Sequence, residues 1–302
     1  MHAIECIGLT VAFRRAQAVC GVSLSVSAGE HVALFGGTGA GKSTLLAAIA
    51  GLLPAEEGSV RVLGRPPSPG RPDVAFVSAS LDTPPNATVA SAISRSLSRL
   101  RLPRSLRAAR IAEALELLGL AGLEDRSVRE LSRGGRAATA LACAIAPHPA
   151  VLLLDNVLAD LPPTQADRLF RHLADRRSID GLALLHASLS SREAERAERV
   201  ILLDAGRCVA DASPAELIAR HASDTLTVEA EDPRAVRRTL RGLFDVEIAA
   251  SEGELRFSAR DAASTAAHLF RHPEGGLRAV CVRRGDLWDV LARLREDRPA
   301  ST

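Results

Sequence analysis

The sequence lacks a strong excess of charge of either sign. Its 302 residues include 38 basic and 36 acidic ones, which leaves a net charge of only +2 at pH 7. A chain without a basic excess gives no electrostatic reason to expect a nucleic-acid partner or direct binding to a membrane surface. Apolar residues make up 47% of the chain, which predicts a folded globular protein with an ample core.

Cysteine is scarce, and no apolar run is long enough to span a membrane. The cysteines are scattered and lack metal-ligand spacing, which indicates buried thiols in a reducing compartment: Cys6, Cys20, Cys143, Cys208 and Cys281. The first ten residues show no basic segment followed by an apolar core, so we expect no secretory signal. The longest apolar tract, Ala137–Leu154, is interrupted by two prolines and a histidine at positions 147–149. We therefore expect a cytoplasmic protein that reaches a membrane only through partners.

Lysine is almost absent, because Lys42 is the only lysine among the 38 basic residues. It lies in the run His31–Leu53, where the apolar strand Val32–Phe35 is followed by a glycine-rich loop and then by an apolar helix. The loop fits the pattern GxxxxGKS, in which backbone N–H groups surround phosphate oxygens at the start of a helix. An arginine fork cannot replace a compact ammonium at such a site. The position of the one lysine therefore supports a phosphate-binding loop.

Each part of this loop has an expected role. Lys42 is expected to reach the β- and γ-phosphates of a nucleotide, and the Ser43 hydroxyl to bind Mg²⁺. The predicted phosphate-binding set comprises Gly36, Gly37, Thr38, Gly39, Ala40, Gly41, Lys42, Ser43 and Thr44. The alternative is a glycine-rich turn before an ordinary helix, and the flanking strand and helix count against it.

A second acidic position belongs to the same predicted site. Val151–Leu154 is a short, wholly apolar run after a proline-flanked loop, which predicts a strand buried on both faces of a parallel sheet. Asp155 follows directly. Since ligands bind at the carboxyl ends of strands in doubly wound sheets, we expect this carboxylate to lie beside the phosphate loop.

The rest of the pattern predicts two domains. Residues 3–27 alternate as two strands, residues 88–130 form a helical insert, and further helices and strands follow, among them the strand Leu182–Leu185. Past Ala222 the order becomes βαββαβ(α), including a helix at Pro233–Leu243, which suggests a small ferredoxin-like α+β domain. We therefore predict a first domain of residues 1–222 and a second of residues 223–302.

The order of motifs resembles the nucleotide-binding subunit of ATP-binding cassette (ABC) transporters. The phosphate loop is followed by the helical insert, by LSRGG at Leu131–Gly135 and by the apolar strand that ends in Asp155. The resemblance covers residues 3–220. The C-terminal domain, with its closing RRGDLWDVLARL, is similar to the extension on ATPase subunits of type-2 exporters. The resemblance implies an α/β fold: a P-loop NTPase cassette with a mixed sheet core, an antiparallel β subdomain and a helical subdomain.

The resemblance also implies a site for ATP and Mg²⁺. Phe13 would stack on adenine, although an ordinary strand aromatic is an equally good interpretation of this residue. Ser43 and Asp155 would bind Mg²⁺, while Ser132 and Gly134 would cap the γ-phosphate held by the opposite subunit. In this family two subunits sandwich two ATP molecules. The implied partners are a second ATPase subunit and membrane-spanning permease subunits, with the chain peripheral on the cytoplasmic face of the inner membrane.

Several positions depart from the family pattern, so that no catalytic set is intact. The catalytic glutamate falls at Asn156, and an amide cannot serve as a general base, a contribution of about 10²- to 10⁴-fold in rate. At the other departing positions the family's residue is replaced as follows. The Q-loop glutamine falls at Ala79, and the switch histidine falls at Ser188 or Ala187. The aspartate of the loop after the strand that ends in Asp155 falls at Pro162, and the signature glycine and glutamine fall at Arg133 and Gly135. We interpret the nearby His186 as a strand-end histidine rather than a shifted switch.

Three hypotheses follow, in order of preference. The chain is the degenerate half of a heterodimeric ABC ATPase, and its consensus partner supplies the missing catalytic residues. Alternatively it forms a homodimer that hydrolyses ATP slowly. The third hypothesis is a non-transport regulatory clamp that nucleotide closes. In the first two, ATP binding and dimer closure drive transport through the permease subunits.

Overall fold

The computed structural model describes residues 2–13, 16–78, 86–232, 234–238, 248–251, 254–259, 262–271 and 276–297. The chain divides into two compact units, Met1–Ser213 and Pro214–Thr302. The sequence pattern predicts a domain boundary at 222/223, whereas the two units divide at 213/214. The helix between these two positions therefore belongs to the second unit in the structure. Within the described residues, no helix has the length and apolar character needed to cross a membrane.

The first unit combines three groups of elements. Its strands are β1 (His2–Phe13), β2 (Ala16–Ser27), β3 (His31–Phe35), β4 (Glu57–Val62), β5 (Val74–Ser78), β6 (Val151–Asp155), β7 (Ala183–Ser188), β8 (Arg199–Asp204) and β9 (Arg207–Ala212). Its helices are α1 (Lys42–Ile49), α2 (Val89–Ser96), α3 (Arg104–Leu117), α4 (Arg133–Ile145), α5 (Pro163–Asp180) and α6 (Ser191–Ala194). Short 3₁₀ turns occupy Val128–Glu130 and Leu158–Asp160.

The central sheet has the strand order β5-β6-β7-β3-β8-β9. The first five of these strands are parallel to their neighbours, and β9 pairs antiparallel with β8. Every residue of β3, β6 and β7 is buried, which explains why these strands are continuous apolar runs rather than alternating ones. A separate antiparallel sheet has the order β2-β1-β4. The predicted P-loop cassette with a mixed sheet and an antiparallel β subdomain is confirmed.

Two hydrophobic clusters cover the two faces of the central sheet. Val151 and Leu153 of β6 belong to the cluster that contains α1 and the three-stranded sheet. Leu152 and Leu154 belong to the cluster formed with α2 to α5. Because side chains alternate along a strand, the next residue, Asp155, lies on the face of α1 and the phosphate loop.

The helical insert consists of two helices rather than one continuous segment. The Thr88 hydroxyl caps α2 by accepting a hydrogen bond from the Ser91 amide, and α3 begins after Pro103. Leu115 and Leu118 are buried in the same cluster as the apolar residues of α4. The insert therefore packs as a subdomain against α4 through its apolar face.

The second unit is an antiparallel sheet with helices. Its strands are β10 (Asp224–Ala230), β11 (Ile248–Ser251), β12 (Glu254–Ala259) and β13 (Leu277–Arg283), and its helices are α7 (Pro214–His221), α8 (Ala262–Arg271) and α9 (Leu287–Glu296). The strand order is β11-β12-β10-β13, so that β12 separates β10 from β11 as in a split βαβ arrangement. Of the predicted helix Pro233–Leu243, residues 234–238 are helical and the others lie outside the described residues. The Asp286 carboxylate caps α9 in a capping box with Asp289.

Candidate functional site

The phosphate loop is held in shape by glycines that no other residue could replace. A Cβ atom built on Gly36 would lie 2.1 Å from the Leu203 carbonyl oxygen. On Gly41, where φ is +99°, it would lie 2.3 Å from the Ala18 carbonyl oxygen. Both contacts are with backbone, which cannot rotate away as a side chain can. The close packing of the loop against β8 and β2 therefore requires glycine at both positions.

Lys42 lies inside this loop as the first residue of α1. Its Nζ donates hydrogen bonds to the carbonyl oxygens of Gly36 and Gly37, at 2.7 and 2.9 Å. Burial lowers the pKa of the Lys42 ammonium, and the nearby Asp155 carboxylate partly opposes this shift. The loop thus curls around a positive charge that carbonyl oxygens solvate.

Ser43 and Asp155 meet beside the loop, as the sequence predicts. The Ser43 hydroxyl donates a 3.0 Å hydrogen bond to Asp155 Oδ1. The Asn156 side-chain amide donates to the same oxygen at 2.9 Å, and its backbone amide donates to the Ala187 carbonyl at 3.2 Å. Asn156 has φ = +52°, a left-handed conformation that asparagine tolerates better than most residues. The site therefore has a hydroxyl and a carboxylate in contact, with an amide behind them.

The LSRGG segment forms the beginning of α4. The Ser132 hydroxyl caps the helix by accepting a 3.1 Å hydrogen bond from the Gly135 amide. Arg133, where the family has glycine, forms a 2.8 Å ion pair with Asp160 of the 3₁₀ turn that follows β6. A Cβ atom on Gly134 would lie 2.9 Å from the Asp160 carbonyl oxygen. The start of α4 and the loop after β6 are thus joined by side-chain and backbone contacts.

Ser188, at the position of the switch histidine, is committed to its own loop. It ends β7 and pairs in register with Phe35, the last residue of β3. Its hydroxyl donates to Glu193 Oε2 at 2.7 Å and accepts from the Ser190 amide at 2.9 Å. Pro162 immediately precedes α5. Ala79 and the side chain of Phe13 lie outside the described residues.

His186 lies inside β7 and not at the end of a strand, because β7 extends to Ser188 and not to Leu185. The ring is fully buried, and its Nδ1 lies 3.0 Å from His31 Nε2. Phe170 of α5 packs against both rings, with centroids 5.7 Å from His31 and 6.0 Å from His186. His186 therefore faces α5, on the side of the sheet opposite the phosphate loop. Burial lowers the pKa of both rings, that of His186 to about 4.

Three side-chain contacts in and around the site are not predicted from the sequence. The Arg133–Asp160 ion pair and the His31–His186 pair join side chains from different loops or strands. The Asn156–Asp155 hydrogen bond joins the side chains of two consecutive residues. The sequence carries a signal for the Asn156–Asp155 contact alone. An asparagine directly after an aspartate that is expected to bind metal can donate a hydrogen bond to it, whereas a glutamate cannot.

The described residues fit a nucleotide with a divalent cation. The loop presents backbone N–H groups and an ammonium at the start of a helix, an arrangement suited to phosphate oxygens. Mg²⁺ is commonly held by one or two protein oxygens together with substrate phosphates. Ser43 and Asp155 supply such a pair at the edge of the loop.

Fold and site together define a phosphate-loop nucleoside triphosphatase of the cassette type. The family model for the ABC transporter matches residues 19–159. The chain is 31% identical to the Fe(3+) ions import ATP-binding protein FbpC of Streptomyces coelicolor, over 92% of this chain and 89% of the relative. The chain therefore belongs to the family of ABC transporter ATP-binding proteins.

Other relatives and solved structures agree with this assignment. The chain is 36% identical over 205 residues to the sulfate/thiosulfate import ATP-binding protein CysA 2 of Chromobacterium violaceum, covering 67% of this chain. It spans only 56% of the length of that relative. A solved dimeric ATP-binding cassette in a post-hydrolysis state, bound to ADP and Pi, superposes with a TM-score of 0.65 at 22% identity. That match covers 70% of this chain and 98% of the solved one, and it supports the fold.

Proposed function

We propose that this chain is the ATP-binding subunit of an ABC transporter, with weak ATP hydrolysis of its own. ATP binding and dimer closure drive transport through separate membrane-spanning subunits, which hold the chain at the cytoplasmic face of the membrane. One observation carries the proposal. The phosphate loop and its Ser43–Asp155 pair are complete, whereas an amide occupies the position beside them where a general base is needed.

The binding half of the proposal rests on the loop geometry. Gly36 to Thr44 hold the phosphates, and Lys42 exchanges its two carbonyl partners for β- and γ-phosphate oxygens. Ser43 and Asp155 bind Mg²⁺, which supplies charge neutralisation at the transferring phosphate. Phe13 stacks on the adenine. The loop therefore recognises the triphosphate through groups that are already positioned.

The catalytic half rests on the residues that replace acids and bases. Asn156 cannot take a proton from water, and the Ser188 hydroxyl is already bonded to Glu193. Phosphoryl transfer depends mainly on positioning and electrostatics. Neither Asn156 nor Ser188 offers the carboxylate or imidazole that positions the attacking water in the family pattern. We therefore expect binding without brisk turnover.

A partner subunit completes the proposed assembly. Ser132 and Gly134 cap the γ-phosphate bound by the opposite subunit, an arrangement supported by the dimeric state of the solved cassette. A consensus ATPase subunit as partner is preferred over a second copy of this chain, because it supplies the missing glutamate, glutamine and histidine. In that heterodimer the signature of this chain serves the active site of its partner.

Two observations favour opposite directions of transport. The split βαβ sheet of the second unit and the RRGDLWDVLARL segment support an exporter of the type-2 class. The names of the relatives FbpC and CysA 2 describe import. We propose export. Accumulation of substrate by inside-out vesicles that contain the assembled transporter supports this choice, and accumulation by right-side-out vesicles overturns it.

The proposed function is tested by measuring binding and turnover separately. Calorimetry is expected to show Mg·ATP binding by the purified chain and none by Lys42→Ala. Phosphate release is expected to be slow for the chain alone and to rise when the partner ATPase subunit is added. In that complex, Ser132→Arg in this chain is expected to abolish the gain. Equal ATP affinity in Lys42→Ala, or rapid turnover by the wild-type chain alone, contradicts the proposal.

A further inference from the structure

Asn156 makes a contact that the glutamate of the family pattern could not make. Its Nδ2 lies 2.9 Å from Asp155 Oδ1. An ionised glutamate has only acceptor oxygens, whereas a side-chain amide has two N–H donors. The amide nitrogen must be the atom that faces the carboxylate, because the amide oxygen there would oppose another acceptor. The asparagine therefore adds a hydrogen bond to the carboxylate in addition to removing a base.

This hydrogen bond reaches the carboxylate oxygen that also accepts from the Ser43 hydroxyl. Asp155 is 8% exposed, so few water molecules compete for its orientation. The backbone of Asn156 is in turn fixed by the Ala187 carbonyl of β7. The donor is thus anchored to the sheet, and the carboxylate that it holds faces the phosphate loop.

We propose that Asn156 is a positioning residue for the Mg²⁺ site, whose amide fixes the orientation of the Asp155 carboxylate. The inference rests on the proposed function, because it assumes that Asp155 binds the Mg²⁺ of a nucleotide. Groups that hydrogen-bond to a metal-binding carboxylate orient it, and removing them typically weakens metal binding by about 10- to 100-fold. Asn156 supports retention of Mg·ATP, which suits a subunit whose task is to stay closed on nucleotide.

Asn156→Gly is the variant that isolates the side chain. Glycine adopts the local φ of +52° without strain, so the backbone contact with Ala187 is kept while the amide donor is lost. Asn156→Gln keeps an amide on a longer side chain and serves as the conservative variant. The other asparagine, Asn86, is exposed and provides the matched control Asn86→Gly.

The measurement is the binding of fluorescent ATP as a function of Mg²⁺ concentration, with a parallel titration in EDTA. Relative to the wild type, we expect the half-saturating Mg²⁺ concentration of Asn156→Gly to rise about tenfold or more. Its ATP affinity in EDTA should stay within about twofold of the wild-type affinity. Asn156→Gln is expected to show a smaller rise, and Asn86→Gly none. Electron paramagnetic resonance measures the binding of Mn²⁺ in place of Mg²⁺ without any turnover. It should rank the variants by metal affinity in the same order.

The outcomes separate this inference from the proposed function. One outcome overturns the positioning role alone. In it, Asn156→Gly binds ATP with unchanged Mg²⁺ dependence, while Lys42→Ala does not bind ATP. An equal rise in Asn86→Gly also overturns it, since the effect would then not depend on Asp155. Failure of the wild-type chain to bind ATP in either titration overturns the proposed function and this inference together.

Discussion

The two halves of the nucleotide site are built by different means. On the phosphate side, Gly36 and Gly41 lie so close to neighbouring carbonyls that only glycine fits. On the side of the loops after β6 and β7, Asn156 and Ser188 contribute through side chains that have other partners within the chain. A binding site made by backbone geometry permits few residue types. A catalytic side made by side chains can change its chemistry while the fold stays the same.

The largest expected effect tests the backbone half. Gly41→Ala should reduce ATP affinity about 100-fold or more, because its Cβ would lie 2.3 Å from the Ala18 carbonyl and the positive φ adds about 1–3 kcal/mol of strain. Gly39→Ala is the matched control, since its Cβ would meet nothing within 4 Å although its φ is also positive, +80°. Titration with fluorescent ATP measures both. Similar losses in the two variants would show that strain alone, and not close packing, shapes the loop.

The next effect tests the side-chain half. Asn156→Glu should raise turnover at saturating Mg²⁺ by about tenfold or more, a part of the usual general-base contribution. Asn156→Gln, which has the reach of glutamate without its basicity, should stay as slow as the wild type. Steady-state phosphate release distinguishes them. If the two variants have equal rates, the missing base is not the main catalytic defect.

A smaller effect is expected on the opposite face of the sheet, at the His31–His186 pair. Burial lowers the pKa of His186 to about 4, below its value of about 6.5 in an unfolded chain. Below pH 6.5 the unfolded state therefore binds more protons, and the free energy of unfolding should fall on acidification by about 1 kcal/mol per pH unit for each ring.

The histidine pair is tested by urea unfolding between pH 7 and pH 4.5. His186→Gln should reduce the slope of stability against pH, and His2→Gln at an exposed position serves as the control variant. ATP affinity at pH 7 should be the same in both variants, since His186 faces α5. A slope in His186→Gln equal to that of the wild type would contradict the assignment of a neutral buried ring.

The smallest expected effect concerns Arg133. Its side chain is 76% exposed, and exposed ion pairs contribute about 0–1 kcal/mol. Arg133→Ala should therefore lower the free energy of unfolding by less than about 1 kcal/mol, and Asp160→Asn should remove most of the same energy. A double-mutant cycle by urea unfolding measures the coupling. A coupling well above this range would mean that the contact between α4 and the loop after β6 organises the fold.

The sequence predicts the parts of the site that follow from local order. The strand, glycine loop and helix around Lys42, and the apolar strand before Asp155, are continuous segments whose residue types define their conformation. No pattern in the sequence predicts three side-chain pairs: Asn156–Asp155, Arg133–Asp160 and His31–His186. All three depend on side-chain orientation. The Arg133–Asp160 and His31–His186 pairs depend also on which loops or strands are neighbours in the fold, and a local sequence pattern does not contain that information. The prediction that His186 ends its strand is wrong for the same reason, because β7 continues to Ser188, which pairs with Phe35 of β3.

Lys42 carries the only lysine ε-amino group of the chain, and its two hydrogen bonds tie it to the loop that it stabilises. Because Lys42 is buried, we expect an amine-reactive reagent to reach that side chain only when the loop opens. Acylation of this position, followed by mass spectrometry of the peptide that contains it, therefore acts as a footprint of loop opening without any engineered label. Occupancy of the site by a triphosphate should then be visible as protection of a single peptide.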